Sequence, residues 1–158
     1  MPSSDWVLLA YRLPREPSTP RIALWRKLRR LGAAQLIDGL VALPATAETI
    51  EAFDWLADEV QDGEGDAWTW IGRPGTKAQE NALRSQMMET TAAEYRTVVA
   101  EAQDAMTAGL RRDLSRLRRE FRRVEQRDYF ASKEREPARR ALERLAAVAE
   151  GPRKVEAR

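Results

Sequence analysis

The chain has 158 residues, 43% of them apolar and 33% charged, which is enough to bury a core and to expose long charged helices. It contains neither cysteine nor histidine, which excludes disulfides, thiolate or imidazole metal sites and any Cys or His nucleophile–base pair. A net charge of +2 hides an asymmetry: residues 1–75 carry 8 Lys and Arg against 11 Asp and Glu, and residues 76–158 carry 19 against 14, so the second half favours an anionic partner.

In chain order, Trp6 to Leu13 is predicted as a strand apolar on both faces. Trp6, Leu8 and Ala10 lie on one side and Val7, Leu9, Tyr11 and Leu13 on the other, which calls for cover on both. The run is too short for a membrane span or a signal segment, so a soluble, cytoplasmic protein is expected. Pro14 and Pro17 turn the chain. Thr19 is read as the N-cap of a basic helix with Pro20 at its first position; Ile22, Trp25, Leu28 and Leu31 form its apolar stripe, and Gly32 ends it. Two apolar runs, residues 34–37 and 40–43, flank Asp38-Gly39, a strong hairpin signal.

Thr46 caps a second helix with Ile50, Phe53, Leu56, Ala57 and Val60 inward, and Gly63 to Gly65 stops it. Residues 66–71 make the last strand, with Trp68 and Trp70 on one face. This β-α-β-β-α-β order predicts an α+β fold, a ferredoxin-like unit over residues 5–74, with both helices on one sheet face. The other face is left to the C-terminal helices, to a second protomer, or to both.

After Pro74-Gly75 the pattern is helical, and a C-terminal antiparallel extension of about three helices is expected over residues 76–150. Its first stripe is Leu83, Met87, Thr91, Tyr95, Val98, Ala102 and Met106, broken by Gly109. The second is Leu110, Leu114, Leu117, Phe121 and Val124; the third is Ala138, Ala141, Leu142, Leu145 and Val148. Residues 151–158 are read as a disordered tail.

Two groups of cations stand out. Arg111, Arg112, Arg116, Arg118, Arg119, Arg122, Arg123 and Arg127 crowd one helix with only Asp113, Glu120 and Glu125 among them. Guanidinium forks suit phosphates and tetrahedral oxyanions, so Arg111, Arg112, Arg116, Arg119, Arg122 and Arg123 are candidate oxyanion ligands. A solvated outer face with i, i+4 ion pairs fits the same pattern. Arg21, Arg26, Lys27, Arg29 and Arg30 on the first helix are candidate DNA contacts, with a solvated face again the alternative. Four of the five tryptophans lie on predicted core stripes or strand faces, so packing is read in preference to base-stacking platforms, Trp70 being the one to watch. Asp128, on an apolar seam, is expected to pair with an Arg or cap the following turn. Neither paired carboxylates for acid–base work, nor metal-ligand spacing, nor a phosphate loop is present, so no enzyme and no cofactor is expected.

The run Arg21 to Pro44, with the later pieces E-Y-R-T-V-V-A-E-A, L-R-R-D-L-S-R-L-R-R-E-F and R-D-Y-F, resembles the N-terminal domain of the ChrB family of chromate-resistance regulators. The likeness extends in order over most of residues 5–148, and Asp128-Tyr129-Phe130 falls where that family has an Asp followed by two aromatics. The first strand and basic helix are more distantly similar to the C-terminal part of PaaX-type repressors and to ferredoxin-like endoribonucleases of CRISPR spacer acquisition. Those nucleases place a metal-binding Asp at the end of the first strand; this chain has Tyr11-Arg12-Leu13 there, which does not support metal-dependent cleavage.

The resemblance implies a repressor of a chromate-efflux operon that binds operator DNA as a homodimer and is released by chromate or another tetrahedral oxyanion. With no thiol, sensing would be by binding the oxyanion. Longer family members carry a second, C-terminal domain without counterpart in this sequence. The competing reading is therefore an oxyanion sensor or helical docking module that works with a separate partner protein.

Overall fold

The computed structural model describes residues 5–109 and 112–151. The chain divides into two compact units, Met1–Met87 and Met88–Arg158. The division falls inside a helix, whereas the shift in composition falls at Pro74-Gly75. Of the tail, residues 152–158 lie outside the described residues, as do Leu110 and Arg111.

The first unit runs β1 (Trp6–Arg12), α1 (Thr19–Leu31), β2 (Ala34–Ile37), β3 (Leu40–Pro44), α2 (Ala47–Asp62) and β4 (Asp66–Gly72), and takes in the start of α3 (Lys77–Ala108). The four strands form one antiparallel sheet in the order β2-β3-β1-β4. Val7, Leu9, Val41 and Leu43 share one face by register and are buried. Helix α2 packs on β1 and β4 of this sheet and α1 packs on α2, with Leu24, Leu28, Phe53, Leu56 and Val60 buried among them.

Local chemistry fixes the elements. Thr46 and Thr49 form a reciprocal cap: the Thr49 N–H donates to Thr46 Oγ1 at 3.1 Å, and the Thr46 N–H donates to Thr49 Oγ1 at 2.9 Å. The buried Thr49 hydroxyl also donates to the Pro44 carbonyl at 2.6 Å, tying α2 to the end of β3. Asp38-Gly39 makes the two-residue turn between β2 and β3. Gly39 has a φ of +78°, and a Cβ there would lie 2.5 Å from the Tyr11 carbonyl oxygen. Gly39 also accepts the Tyr11 N–H at 2.7 Å, so the turn is bonded to β1.

Three expectations need correction here. Ser18, not Thr19, is the N-cap of α1, and its side chain makes no capping hydrogen bond. The inner stripe of α1 is Leu24 and Leu28; Ile22 and Trp25 are about half exposed. A spacing of three falls about 60° short of a full turn at each step, whereas Leu24 and Leu28 sit four apart on one face. Of the five tryptophans only Trp6 is buried. Trp25, Trp55, Trp68 and Trp70 are all exposed, at 53%, 65%, 69% and 61%.

The second unit comprises the rest of α3, α4 (Asp113–Gln126) and α5 (Arg135–Ala149). Tyr95, Val98, Ala102 and Ala105 from α3 meet Leu114, Leu117, Phe121 and Val124 from α4 and Ala138, Ala141, Leu142 and Leu145 from α5. Each large apolar side chain fully buried here contributes roughly 1.5–3 kcal/mol. The Tyr95 and Phe121 rings lie 5.7 Å apart in a tilted pair. Gly109 (φ +67°) ends α3 in the left-handed region where the sequence breaks. Among the described residues no helix is long and apolar enough to cross a membrane.

Candidate nucleic-acid interface

In the first unit, the end of β1, the loop after it, the start of α1 and the β2–β3 turn enclose an open groove of about 880 Å³. Arg12, Arg15, Arg21 and Arg26 line it, with Tyr11, Trp25, Ser18 and Asp38. Arg12 is held by Asp66 at 2.7 Å in an exposed pair. Among the described residues, Arg15, Arg21 and Arg26 have no carboxylate within ion-pair reach. The first turn of α1 has no acidic residue, and its N-cap side chain leaves the N–H groups there uncapped, so the positive end of the helix adds to the groove. Asp38 is the one acid on the lining; its Oδ1 accepts from Gln35 Nε2 at 3.2 Å.

The Tyr11 hydroxyl titrates above the ordinary tyrosine value. Burial is the main cause; Asp38 pushes the same way and Arg21 opposes it. It therefore stays protonated at neutral pH, with an O–H able to donate. Arg29 lies over the half-exposed Trp25 ring, 4.9 Å from its centroid.

Of the five α1 cations singled out by sequence, the structure brings Arg21 and Arg26 into the groove and stacks Arg29 on its tryptophan. Lys27 instead grips Glu59 of α2 at 2.6 and 2.7 Å, and Arg30 is exposed away from the groove lining. Sequence reasoning missed Arg12, Arg15 and Tyr11, which come from a strand end and a loop. The R-L-P-R run was the available signal, but helical periodicity does not register it.

In the second unit, the arginines of α4 fall into two rows. Arg116, Arg123 and Arg127 turn toward acids. Arg116 pairs with Glu101 at 3.0 Å, Arg123 with Glu120 at 3.4 Å, and Arg127 with Glu94 at 2.8 Å and Glu120 at 3.7 Å. Arg127 is the most enclosed, its side chain 14% exposed. Arg118, Arg119 and Arg122 form the other row, spaced so as to share one face of the helix, and have no such partner among the described residues. Arg112 is exposed just before the helix begins, and the expected role of Arg111 lies outside the described residues. The oxyanion candidates are thus divided: Arg116 and Arg123 are committed to carboxylates, and Arg119 and Arg122 face solvent.

Asp128 caps the turn into α5. Its two oxygens accept the Ser132 N–H at 3.1 and 3.0 Å, and Oδ2 accepts the Tyr95 hydroxyl at 3.1 Å. Burial first, then the Asp128 charge, drives the Tyr95 hydroxyl far above the ordinary value, so it remains a donor. No group of His, Cys, Asp or Glu among the described residues could hold a metal ion.

A family model described as "Protein ChrB, N-terminal" matches residues 21–112. That stretch covers more than half the chain; it contains Arg21 and Arg26 and stops before the α4 arginine rows. The chain is also similar to Protein ChrB of Cupriavidus metallidurans, 28% identical over 119 residues, which are 75% of this chain and 37% of that protein. The chain therefore spans well under half the length of this relative. No solved structure matches it.

Proposed function

The chain belongs to the ChrB N-terminal family, and from that premise we propose that it is a chromate-responsive transcriptional repressor of a chromate-resistance operon. The observation that carries this reading is the groove in the first unit. Three unpartnered guanidinium groups, a protonated tyrosine and a half-exposed tryptophan line one open concavity at the positive end of α1. Such a surface grips phosphate oxygens through charged forks and displaces condensed counterions. In a homodimer two such grooves would meet the phosphates of a two-fold operator. The reading takes the first unit as a ferredoxin-like split βαβ, supported by β1 lying between β3 and β4.

The effector site belongs in this reading to Arg118, Arg119 and Arg122, whose forks suit a tetrahedral dianion. A bound dianion takes two positive charges off the net charge of the chain and so weakens its overall attraction for DNA. Because the chain has no cysteine or histidine, the signal is binding rather than thiol oxidation. No catalytic step is assigned, and labelled DNA or RNA should survive incubation with Mg²⁺ or Mn²⁺.

The test is fluorescence anisotropy of the promoter DNA of its own operon at two salt concentrations, with chromate and then with equal sulfate. With about six phosphate contacts per dimer, affinity should fall about 10³-fold between 50 and 200 mM salt, and chromate alone should release the DNA. Replacing Arg118, Arg119 and Arg122 by alanine should abolish that release. Absence of sequence-preferring binding at low salt overturns the reading and points to a module that docks on a separate partner protein.

A further inference from the structure

The sheet of the first unit has a second face, and its strand register leaves an apolar strip there. Ile37, Leu40, Ala10 and Trp68 align in one row across all four strands, and Ala42, Leu8 and Trp70 align in the next. Ile37, Trp68 and Trp70 are each more than 60% exposed. We propose that this face is where two copies of the chain pair, sheet against sheet, with Trp68 and Trp70 as the anchors. The proposal rests on the dimeric part of the proposed function and on none of its DNA or chromate chemistry.

The area is of the right order. An aromatic side chain buries roughly 150–250 Å². Two tryptophans with Ile37 and its neighbours therefore give an apolar centre of roughly 400–500 Å² per copy, which a polar rim extends toward the ~800 Å² per partner of a stable interface. The charge fits a second copy better than a nucleic acid. On this face the only charged side chains of the four strands are Arg12 and Asp66, already joined at 2.7 Å, so a polyanion finds no surplus positive charge. A second copy meets a neutral face, and the Arg12 and Asp66 of two copies can pair crosswise.

The shape is self-complementary. Leu8 and Ala42 of the second row, with Leu36 and Leu83, line a mostly apolar cavity of about 450 Å³. It runs from β2 across β3 and β1 to Gly72, Arg73 and Pro74 at the end of β4; at the level of the Trp70 row its wall is Leu8 and Ala42, on the β1–β3 side of Trp70. A two-fold axis parallel to the strands puts the β4 edge of each copy over the β2–β3 side of the other at the same level. Each Trp70 then faces the other copy's cavity, as an isologous interface requires.

Sedimentation equilibrium of the full chain without DNA tests this, on the native protein, on W68E/W70E, on I37K and on W55E as a control. All four positions are exposed, so the folds should survive, and far-UV circular dichroism checks that they do. The native protein and W55E should be dimers, and W68E/W70E should weaken dimerisation about 100-fold or more. I37K, on the same face, should weaken it as well and stands in should the double variant misfold. A native monomer at all concentrations overturns the proposal. So does undiminished dimerisation of both face variants, or a one-to-one complex with a different protein through this face. A dimer that fails to bind DNA leaves this interface standing and removes only the repressor reading.

Discussion

Helices α1 and α4 are both dense in arginine, yet the fold treats their charge in opposite ways. Helix α1 carries no acid and the groove is lined by a single one, Asp38; Arg21 and Arg26 join Arg15 from a loop and Tyr11 from a strand around one concavity. On and at the end of α4, half of the arginines are held by carboxylates, two of which, Glu94 and Glu101, are on α3, so much of that charge serves the helical unit's own cohesion. The difference teaches that arginine density does not measure available charge. What decides is whether neighbouring elements present acids at ion-pair distance, and a loop contributes as much to a cationic site as a helix face does.

The comparison breaks most sharply at Arg127. Its partly buried pair with Glu94 is structural, so R127A should cost about 2 kcal/mol of stability in urea unfolding, between the values for exposed and buried pairs, by leaving a partly shielded carboxylate without its partner. DNA affinity of the folded variant should be unchanged. The converse is expected of R21A/R26A: about 30-fold weaker DNA binding, near 2 kcal/mol, with a salt slope shallower by about 1 per arginine removed. Its stability should stay within about 0.5 kcal/mol of the native chain. Were R21A/R26A to unfold the protein, or R127A to abolish DNA binding without loss of stability, the division of labour would be reversed.

Alkaline titration sharpens the picture further. The folded Tyr95 hydroxyl titrates above its ordinary value of 10.0, so its stabilising contribution is fully present below that pH and is lost as pH rises through the folded value. Y95F should lose about 1 kcal/mol at neutral pH with the hydrogen bond to Asp128, and its stability should decline less steeply than that of the native chain above pH ~10. The smallest effect is expected at Lys27. Its exposed pair with Glu59 is worth less than about 0.5 kcal/mol, and K27A should leave both urea unfolding and DNA anisotropy unchanged.

Much of this architecture was legible in the sequence because it is written locally. The Asp38-Gly39 hairpin, the Thr46 cap and the buried stripe from Leu83 to Ala102 follow from turn chemistry, capping and helical periodicity. The seam of α4 is equally plain. What periodicity does not carry is which side of an element finds a neighbour. Trp68 and Trp70 alternate correctly for a strand, but alternation only names two faces, and cover on one of them is a tertiary fact. In the same way Ile22 and Trp25 share a plausible stripe with Leu28, yet α1 rests on Leu24 and Leu28 and leaves both in solvent. The groove was half visible: its helical cations could be read, whereas Arg12 and Arg15 flank the predicted Pro14–Pro17 turn, and only the folded backbone shows that this turn brings them beside α1.

Gly39 gives the groove a mechanical tolerance. With the Tyr11 carbonyl 2.5 Å from where its Cβ would be, and the Tyr11 amide bonded to its own carbonyl, the hairpin tip is clamped to β1 by main-chain atoms alone. The aperture between the hairpin and α1 is therefore gauged by a residue that carries neither charge nor side chain. Enlarging that residue would wedge Asp38 and Gln35 away from Tyr11 and widen the slot without altering a single cation.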